Sequence, residues 1–255
     1  MLVKSKKLFK IVLATLILLA LCVPMSSCGM QEKKKNYHDV MDSYGRDVSC
    51  PKIVNRIATV GSATRFVVYA GAINKLCAIT EMDRPTELRP YTLVDPELFS
   101  SLPTTNTGNH LNENDVDKEK LIELEPDIII SSRSEEECQE LQDETKIPVL
   151  GVYSQDDILQ LTIWSAVQIV SWAADTEDVG NTKVGQINKL YSDISSLCTG
   201  GTASIYRGAI NYKGSKDITG TVSKYSVYNA VKANNVADIE DFSGEYDTNL
   251  EQLLT

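Results

Sequence analysis

The chain has 255 residues, of which 42% are hydrophobic and 24% charged, and a formal net charge of -10. This length can bury one large core or two modest lobes. The acidic balance excludes the broad basic face that phosphate contacts require, so we predict no nucleic-acid partner. Only two histidines and no C-x-x-C pair are present, which disfavours a zinc site and a bare metal ion as ligand.

The N-terminus has the form of a secretion signal. Lysines 4, 6, 7 and 10 precede an apolar run at 11–23, followed by Pro24 and small residues. The run of about 13 residues is shorter than the roughly 20 needed to cross a bilayer. Cys28 then opens a lysine-rich stretch and resembles the lipidated cysteine of bacterial lipoproteins, although Met25 stands where leucine is usual. We predict a signal peptide at 1–27 and a tether at 28–41, the alternative being a plain secreted protein.

Four cysteines remain beyond Cys28: Cys50, Cys77, Cys138 and Cys198. An exported protein can form disulfides, but these residues are widely spaced, and the sequence predicts no pairing. Cys77 and Cys198 fall in apolar periodic stretches, where buried thiols are expected.

Short apolar runs alternate with helical patterns in the first half of the chain. Strands are predicted at 56–60, 75–80, 127–131 and 148–152, and helices at 62–72, 117–124 and 135–145. This alternation is typical of a parallel sheet covered by helices on both faces. We therefore predict an N-terminal α/β lobe at 42–153.

Two long helical patterns without an intervening strand follow that lobe. Ser154 and Asp157 have capping-box spacing before an apolar helix, and a second helix is predicted at 178–197, ending before Gly200 and Gly201. At 1.5 Å per residue the second helix would span about 30 Å. We interpret 154–200 as a rigid bridge between two lobes.

A second α/β lobe is predicted at 201–255, with a strand at 203–212 and a helix at 226–233. The segment 249–254 is similar in charge and apolar placement to 118–124, which in the first lobe leads directly into a strand. If the lobes are related, the second is incomplete at Thr255. Two short helices can also look alike by chance.

Several motifs, in this order, resemble the periplasmic binding proteins for ferric siderophores, haem and cobalamin. In the first half they are D-S-Y-G-R-D-V at 42–48, Gly71-Ala72, 96–103, and L-E-P-D at 124–127; in the second they are Tyr206-Arg-Gly208, Tyr212-Lys-Gly214, Tyr225 and N-V-A at 235–237. The resemblance implies two lobes with mainly parallel sheets, joined by one long rigid helix.

The same resemblance implies a monomeric, extracytoplasmic binding protein that delivers an iron-chelate-like ligand to the permease of an ABC importer. In this family an acidic residue on each lobe docks on the permease. Glu97 matches the first position, and Glu240 or Asp241 can stand in for the second.

Bulky anionic chelates require cationic and aromatic side chains at the cleft. The predicted ligand-binding residues are Arg65, Arg84, Arg89, Tyr91 and Arg133 from the first lobe, and Tyr206, Arg207, Tyr212 and Lys216 from the second. For a single arginine the alternative is a solvated surface charge, and for the tyrosines it is a place in the core. His110 is interpreted as a hydrogen-bonding loop residue.

No nucleophile elbow, metalloprotease motif or phosphate loop occurs in the sequence. We therefore predict no catalytic residues, no resident cofactor and no enzymatic activity. Two alternatives stay open: a truncated relative that serves as a sensor or scavenger without transport, and an extracytoplasmic α/β enzyme.

Overall fold

The structure is a computed structural model that describes residues 36–106, 116–152, 161–201, 204–210, 218–249 and 251. For residues 161–164 it describes the backbone alone. The chain divides into Met1–His38 and Asp39–Thr255, and nearly all the described residues belong to the second unit. The predicted signal peptide, Cys28 and His110 lie outside the described residues. Among the helices that are described, none is long and apolar enough to cross a bilayer.

The fold begins with a hairpin of β1 (Tyr37–Met41) and β2 (Asp47–Pro51). Its turn is closed by the Asp42 carboxylate, which accepts hydrogen bonds from the backbone N–H groups of Tyr44 and Arg46 at 2.9 and 3.0 Å. Gly45 has a φ of 81°, which glycine adopts without a Cβ penalty. The motif at 42–48 therefore forms the turn of this hairpin and the start of β2.

A four-stranded parallel sheet forms the centre of the first half of the chain. Its strands are β3 (Ile57–Val60), β4 (Leu76–Ala78), β5 (Ile128–Ser131) and β6 (Val149–Gly151), in the order β4-β3-β5-β6. Every residue of these strands is buried, as expected for a parallel sheet covered on both faces. All four predicted strands are confirmed, with boundaries within about two residues.

The helices of this half are short. They are α1 (Thr64–Tyr69), α2 (Pro96–Ser101), α3 (Lys118–Leu124) and α4 (Glu135–Thr145), accompanied by 3-10 turns at Ile73–Lys75, Glu81–Asp83 and Pro90–Val94. Helix α4 starts with a capping box between Ser134 and Glu137 and ends at Lys146, whose φ is 63°. Two separate apolar clusters, around Phe66 and around Leu121, cover the two sides of the sheet.

The four cysteines Cys50, Cys77, Cys138 and Cys198 are free thiols, and the first three are buried.

Two consecutive helices follow, α5 (Leu161–Ala173) and α6 (Glu177–Leu197). Val167 and Val170 of α5 belong to the first apolar cluster. Helix α6 is continuous over 21 residues, which confirms the predicted helix at 178–197. Only Gly180 and Val184 of α6 are buried, so its last three turns are held by few side-chain contacts.

The remaining elements are smaller. They are β7 (Ser204–Ile205), β8 (Gly220–Ser223), α7 (Ser226–Ala230), β9 (Asn234–Asn235) and β10 (Gly244–Asp247). Strands β7 and β9 are parallel, while β8 and β10 are antiparallel. Of the predicted strand at 203–212 the described residues retain Ser204–Ile205. The predicted helix at 226–233 is shorter because Lys232, with a φ of 53°, turns the chain.

Candidate ligand-binding site

The carboxyl ends of the parallel strands meet at one edge of the sheet, where α/β proteins commonly bind ligands. Strand β3 leads into Gly61 and Ser62, and the neighbouring β5 leads into Ser132. The Ser62 N–H donates to Ser132 Oγ at 2.7 Å. Gly61 has a φ of 68°, and a Cβ built there would lie 2.5 Å from Ser132 Oγ. The loops after β3 and β5 are therefore in direct contact.

A buried carboxylate organises the adjoining loop after β4. Asp83 is 1% exposed and accepts hydrogen bonds from Thr64 Oγ1 at 2.6 Å, Thr80 Oγ1 at 2.7 Å and the Tyr91 hydroxyl at 2.6 Å. These donors lie on α1, at the start of the 3-10 turn at 81–83 and on the 3-10 helix at 90–94. One side chain thus ties three separate segments together.

Tyr91 is half-buried against the first apolar cluster, with its ring edge-on to Phe99 at 6.5 Å between centroids. Burial raises the pKa of its phenol, and the charge of Asp83 and the hydrogen bond to it raise that pKa further. The positive charges of Arg89 and Arg65 act in the opposite direction. The phenol is therefore neutral at physiological pH and donates a hydrogen bond to Asp83.

Arg65 and Arg89 are both half-buried beside this network. The Arg65 guanidinium carbon lies 4.9 Å from the centroid of the Phe66 ring, within the range of a cation–π contact. The Arg89 carbonyl accepts a hydrogen bond from Thr92 Oγ1 at 2.8 Å, which fixes the start of the helix at 90–94. Of the residues predicted from the sequence, Arg65, Arg89 and Tyr91 lie on the two segments that Asp83 joins through Thr64 and Tyr91.

Arg133 lies in a different setting. Its side chain is 11% exposed, and its Nη1 is 3.4 Å from Glu137 Oε1. Together with Lys118, Glu137 and Glu140 it lines a cavity of about 310 Å³. Burial raises the pKa of Glu137, but hydrogen bonds from Ser134 and the charge of Arg133 outweigh it and leave that pKa lowered. Since cations and carboxylates alternate here, the cavity carries compensated charge.

The Arg84 side chain makes most of its hydrogen bonds to backbone carbonyl groups. Its Nη1 donates to the carbonyl oxygens of Phe99 at 2.8 Å, Ser100 at 3.1 Å and Leu102 at 3.0 Å, and its Nε pairs with Glu81 at 3.4 Å. These carbonyls belong to the end of α2 and have no partner within the helix. The contacts give Arg84 a structural role, and its contact with a ligand stays a prediction.

In the second half of the chain, Tyr206 and Arg207 follow strand β7. The Tyr206 hydroxyl donates to the Ile218 carbonyl at 2.7 Å. The Arg207 guanidinium lies over the Tyr225 ring at 4.4 Å, and Tyr228 meets that ring edge-on at 5.0 Å. These residues form a stacked surface after the ends of β7 and β8. Predicted residues Tyr212 and Lys216 lie outside the described residues.

The predicted permease-docking residues are on the surface. Glu97 is exposed in the first turn of α2, whose N-terminus is capped by the Asp95 carboxylate at 3.0 Å from Leu98 N. Glu240 and Asp241 are also exposed, and the Lys224 ammonium donates to the Glu240 carbonyl oxygen.

Two residues at these sites were not predicted from the sequence, Asp83 and Tyr225. Asp83 stands three residues after Thr80, a capping-box spacing directly after a strand, and this signal could have indicated a buried carboxylate. Tyr225 comes two residues after the carboxyl end of β8, and Arg207 comes two residues after that of β7, so position after a strand could have indicated both. Within the part of the chain that the structure describes, no group of His, Cys, Asp and Glu side chains is arranged to hold a metal ion.

A mainly parallel sheet with helices on both faces, followed by one long helix and a second set of strands, defines the α/β fold of periplasmic solute-binding proteins. No family model matches the chain, and no curated protein matches it. Solved structures do show the fold, since many that match are periplasmic solute-binding proteins of ABC transporters.

A periplasmic solute-binding protein from Veillonella parvula superposes with a TM-score of 0.64 at 18% identity, over 86% of this chain and 65% of that one. The periplasmic molybdate-binding protein of Haemophilus influenzae gives 0.60 at 15% identity, over 85% and 71%. The periplasmic vitamin B12-binding protein of Vibrio cholerae gives 0.55 at 18% identity, over 79% and 72%. The chain thus spans less than two thirds of the Veillonella protein, and the likeness is one of fold.

Proposed function

We propose that the chain is an extracytoplasmic solute-binding protein that delivers an iron-chelate-like ligand to an ABC importer. The observation that carries the proposal is the link that the buried Asp83 makes between the segments carrying Arg65 and Arg89, which follow strands β3 and β4. In this fold such loops form the ligand face. The solved structures with the same fold are themselves binding proteins for solutes.

The charge of the site supports an anionic ligand. Arg65 and Arg89 stand beside a neutral phenol and a fully hydrogen-bonded Asp83, and both side chains are only half-buried. A ferric siderophore, haem or cobalamin would also need a flat contact surface, which the stack of Arg207 on Tyr225 offers. Arg84, Arg133, Tyr206, Tyr212 and Lys216 complete the proposed ligand-binding set.

The attachment and partner belong to the same proposal. Residues 1–27 serve as a signal peptide, and Cys28 carries the lipid anchor that holds the binding protein, as a monomer, at the outer face of the cell membrane. Glu97, with Glu240 or Asp241, docks on the permease. These acidic side chains are exposed, which docking requires.

Calorimetric titration of the chain from Cys28 onward tests the ligand assignment. The panel comprises haem, cyanocobalamin, molybdate and several ferric siderophores, and we expect one anionic member to bind at 1:1. The double variant Arg65→Gln/Arg89→Gln should weaken its binding by about a hundredfold, since each charged hydrogen bond is worth roughly a factor of ten.

The matched control is Lys183→Gln, which removes a cation from the exposed surface of α6 and should leave the affinity unchanged. Failure of every panel member to bind, or equal affinity of the double variant and the wild type, would contradict the proposal. Ligand binding without uptake in cells carrying the permease would favour a scavenger or sensor.

A further inference from the structure

The hydrogen bonds of Asp83 extend from the central sheet to the outer loop of the first half. Thr64 donates its hydroxyl proton to Asp83 Oδ2 and lies 2.6 Å from Thr59 Oγ1, so it accepts its second bond from Thr59 on β3. Tyr91 donates to the other oxygen, Asp83 Oδ1. Four side chains therefore form one continuous chain of hydrogen bonds, in which only Tyr91 is partly exposed.

The two segments that Asp83 joins carry the two arginines of the proposed ligand face. Arg65 directly follows Thr64 in the first turn of α1, and Arg89 precedes Tyr91 by two residues at the start of the 90–94 helix. Asp83 fixes both segments at once, because its Oδ2 accepts a hydrogen bond from Thr64 on the first segment and its Oδ1 accepts one from Tyr91 on the second. The spacing between the two guanidinium groups therefore depends on a carboxylate that is itself 1% exposed.

The electrostatics of Tyr91 agree with this arrangement. The positive charges of both Arg65 and Arg89 lower the pKa of the Tyr91 phenol, against the larger effects of burial and Asp83. Arg65 also lies against the Phe66 ring, which restricts where its charge can go. The network thus fixes the segments that carry the two cations, and the Tyr91 hydroxyl faces inward to Asp83.

We propose that Asp83 and Tyr91 are positioning residues that set the spacing of Arg65 and Arg89 for an anionic group of the ligand. The Tyr91 oxygen is engaged by Asp83, so Tyr91 contributes its ring to the site and does not coordinate a metal carried by the ligand. This inference rests on the proposed function, which it refines by assigning the first-lobe anion site to two arginines held by one buried carboxylate.

The substitution Tyr91→Phe separates positioning from folding. It removes the hydroxyl and keeps the ring against Phe99, while Asp83 retains its bonds from Thr64 and Thr80. The matched control is Tyr69→Phe on α1, where the tyrosine is 41% exposed. Thermal unfolding of both variants checks that each remains folded.

The first measurement needs no ligand. The side-chain Nε–Hε signals of Arg65 and Arg89 in NMR spectra, assigned with Arg65→Gln and Arg89→Gln, should shift or broaden in Tyr91→Phe and stay in place in Tyr69→Phe. Unchanged signals in Tyr91→Phe would overturn the positioning role, whatever the protein binds. This result is therefore separate from success or failure of the proposed function.

The second measurement uses whichever panel member binds. Tyr91→Phe should weaken binding by about fivefold to tenfold, the size of one hydrogen bond's effect, and the loss should disappear in the Arg89→Gln background. Equal losses in both backgrounds would show that Tyr91 acts without Arg89. A visible ferric-phenolate absorption band on addition of ferric nitrilotriacetate, absent in Tyr91→Phe, would overturn the inward orientation of the hydroxyl.

Discussion

At the scale of single residues, the most consequential polar group outside the ligand face is Asp42. Its side chain has no exposed surface and pairs with Arg46 at 2.7 Å. It also accepts a hydrogen bond from the Gly151 N–H at 3.0 Å, and Arg46 Nη2 donates to the Val149 carbonyl at 2.8 Å. The initial hairpin is thereby joined to strand β6 at the edge of the sheet.

Replacing Asp42 with alanine should lower the free energy of unfolding by about 3–5 kcal/mol, because it leaves Arg46 largely buried without its partner. Urea denaturation followed by circular dichroism measures the change. The control is Asp193→Ala, which breaks the exposed pair with Lys189 on α6 and should cost less than about 1 kcal/mol. Similar losses in the two variants would contradict the role given to Asp42.

The buried cysteines should differ from Cys198 in reactivity. Burial, with smaller contributions from Asp39 and Asp42, raises the pKa of the Cys50 thiol to about 12, and burial also raises the pKa values of Cys77 and Cys138. Iodoacetamide at pH 8 should therefore label the half-exposed Cys198 first, and the other three only after unfolding. Peptide mass spectrometry gives the order, and rapid labelling of Cys50 in folded protein would refute it.

The raised pKa of Cys50 also predicts the behaviour of the fold in alkali. In the unfolded chain the thiol ionises near its ordinary value of 9.0, while in the folded protein it ionises near 12. The unfolded state thus loses its proton first, so stability is intact below about pH 9 and falls as the pH rises toward 12. Cys50→Ala should flatten this decline in denaturation midpoints measured across that range, and an unchanged slope would contradict the prediction.

At the scale of elements, replacing two glycines with alanine should have opposite effects on the stability of the fold. A Cβ at Gly151 on β6 would lie 2.5–2.6 Å from the Tyr44 ring and 3.0 Å from Asp42 Oδ2. Gly151→Ala should therefore destabilise the fold by about 1–3 kcal/mol through overpacking. Gly185 lies within α6 with nothing within 4 Å of such a Cβ, so Gly185→Ala should stabilise it by about 0.5–1 kcal/mol. Thermal unfolding of both variants tests the pair, and shifts of the same sign would contradict the packing described.

The elements that could be predicted from sequence are those whose pattern is local. Strands β3 and β5 are apolar runs because both faces of the sheet are covered, and α4 carries its own capping box. The strands beyond α6 carry little local signal, because they are two to four residues long and β8 pairs with a strand about 20 residues later.

The candidate site shows the same division. Arg65 and Arg89 could be proposed from the sequence because loops after strands can be recognised there, whereas the Asp83 network could not. Its partner Thr64 lies 19 residues away and Tyr91 lies 8 residues away, so only the fold brings them together. The backbone role of Arg84 likewise depends on carbonyl groups that no sequence pattern reveals.

At the scale of the whole molecule, burial is uneven along the chain. The four strands of the central sheet are fully buried, whereas Leu190 and Leu197 of α6 are 58% and 82% exposed. Hydrogen exchange followed by mass spectrometry should therefore be slowest in β3 and β5 and much faster in residues 187–197. Equal protection of the two regions would show that α6 is held by contacts other than those described.

Helix α6 is clamped where it begins. Val179 occupies the space where a Cβ on Gly71 would stand, and Ser171 does the same for Gly180, so no larger residue fits at either position without displacing the helix. Helix α6 also contacts α7. Because α6 rises by 1.5 Å per residue, it is about 30 Å long, and a tilt of about 10° at its start would move its other end by roughly 5 Å. One methyl group at position 71 or 180 that tilted α6 at its start would thus move the far end of the helix much more than the clamped end.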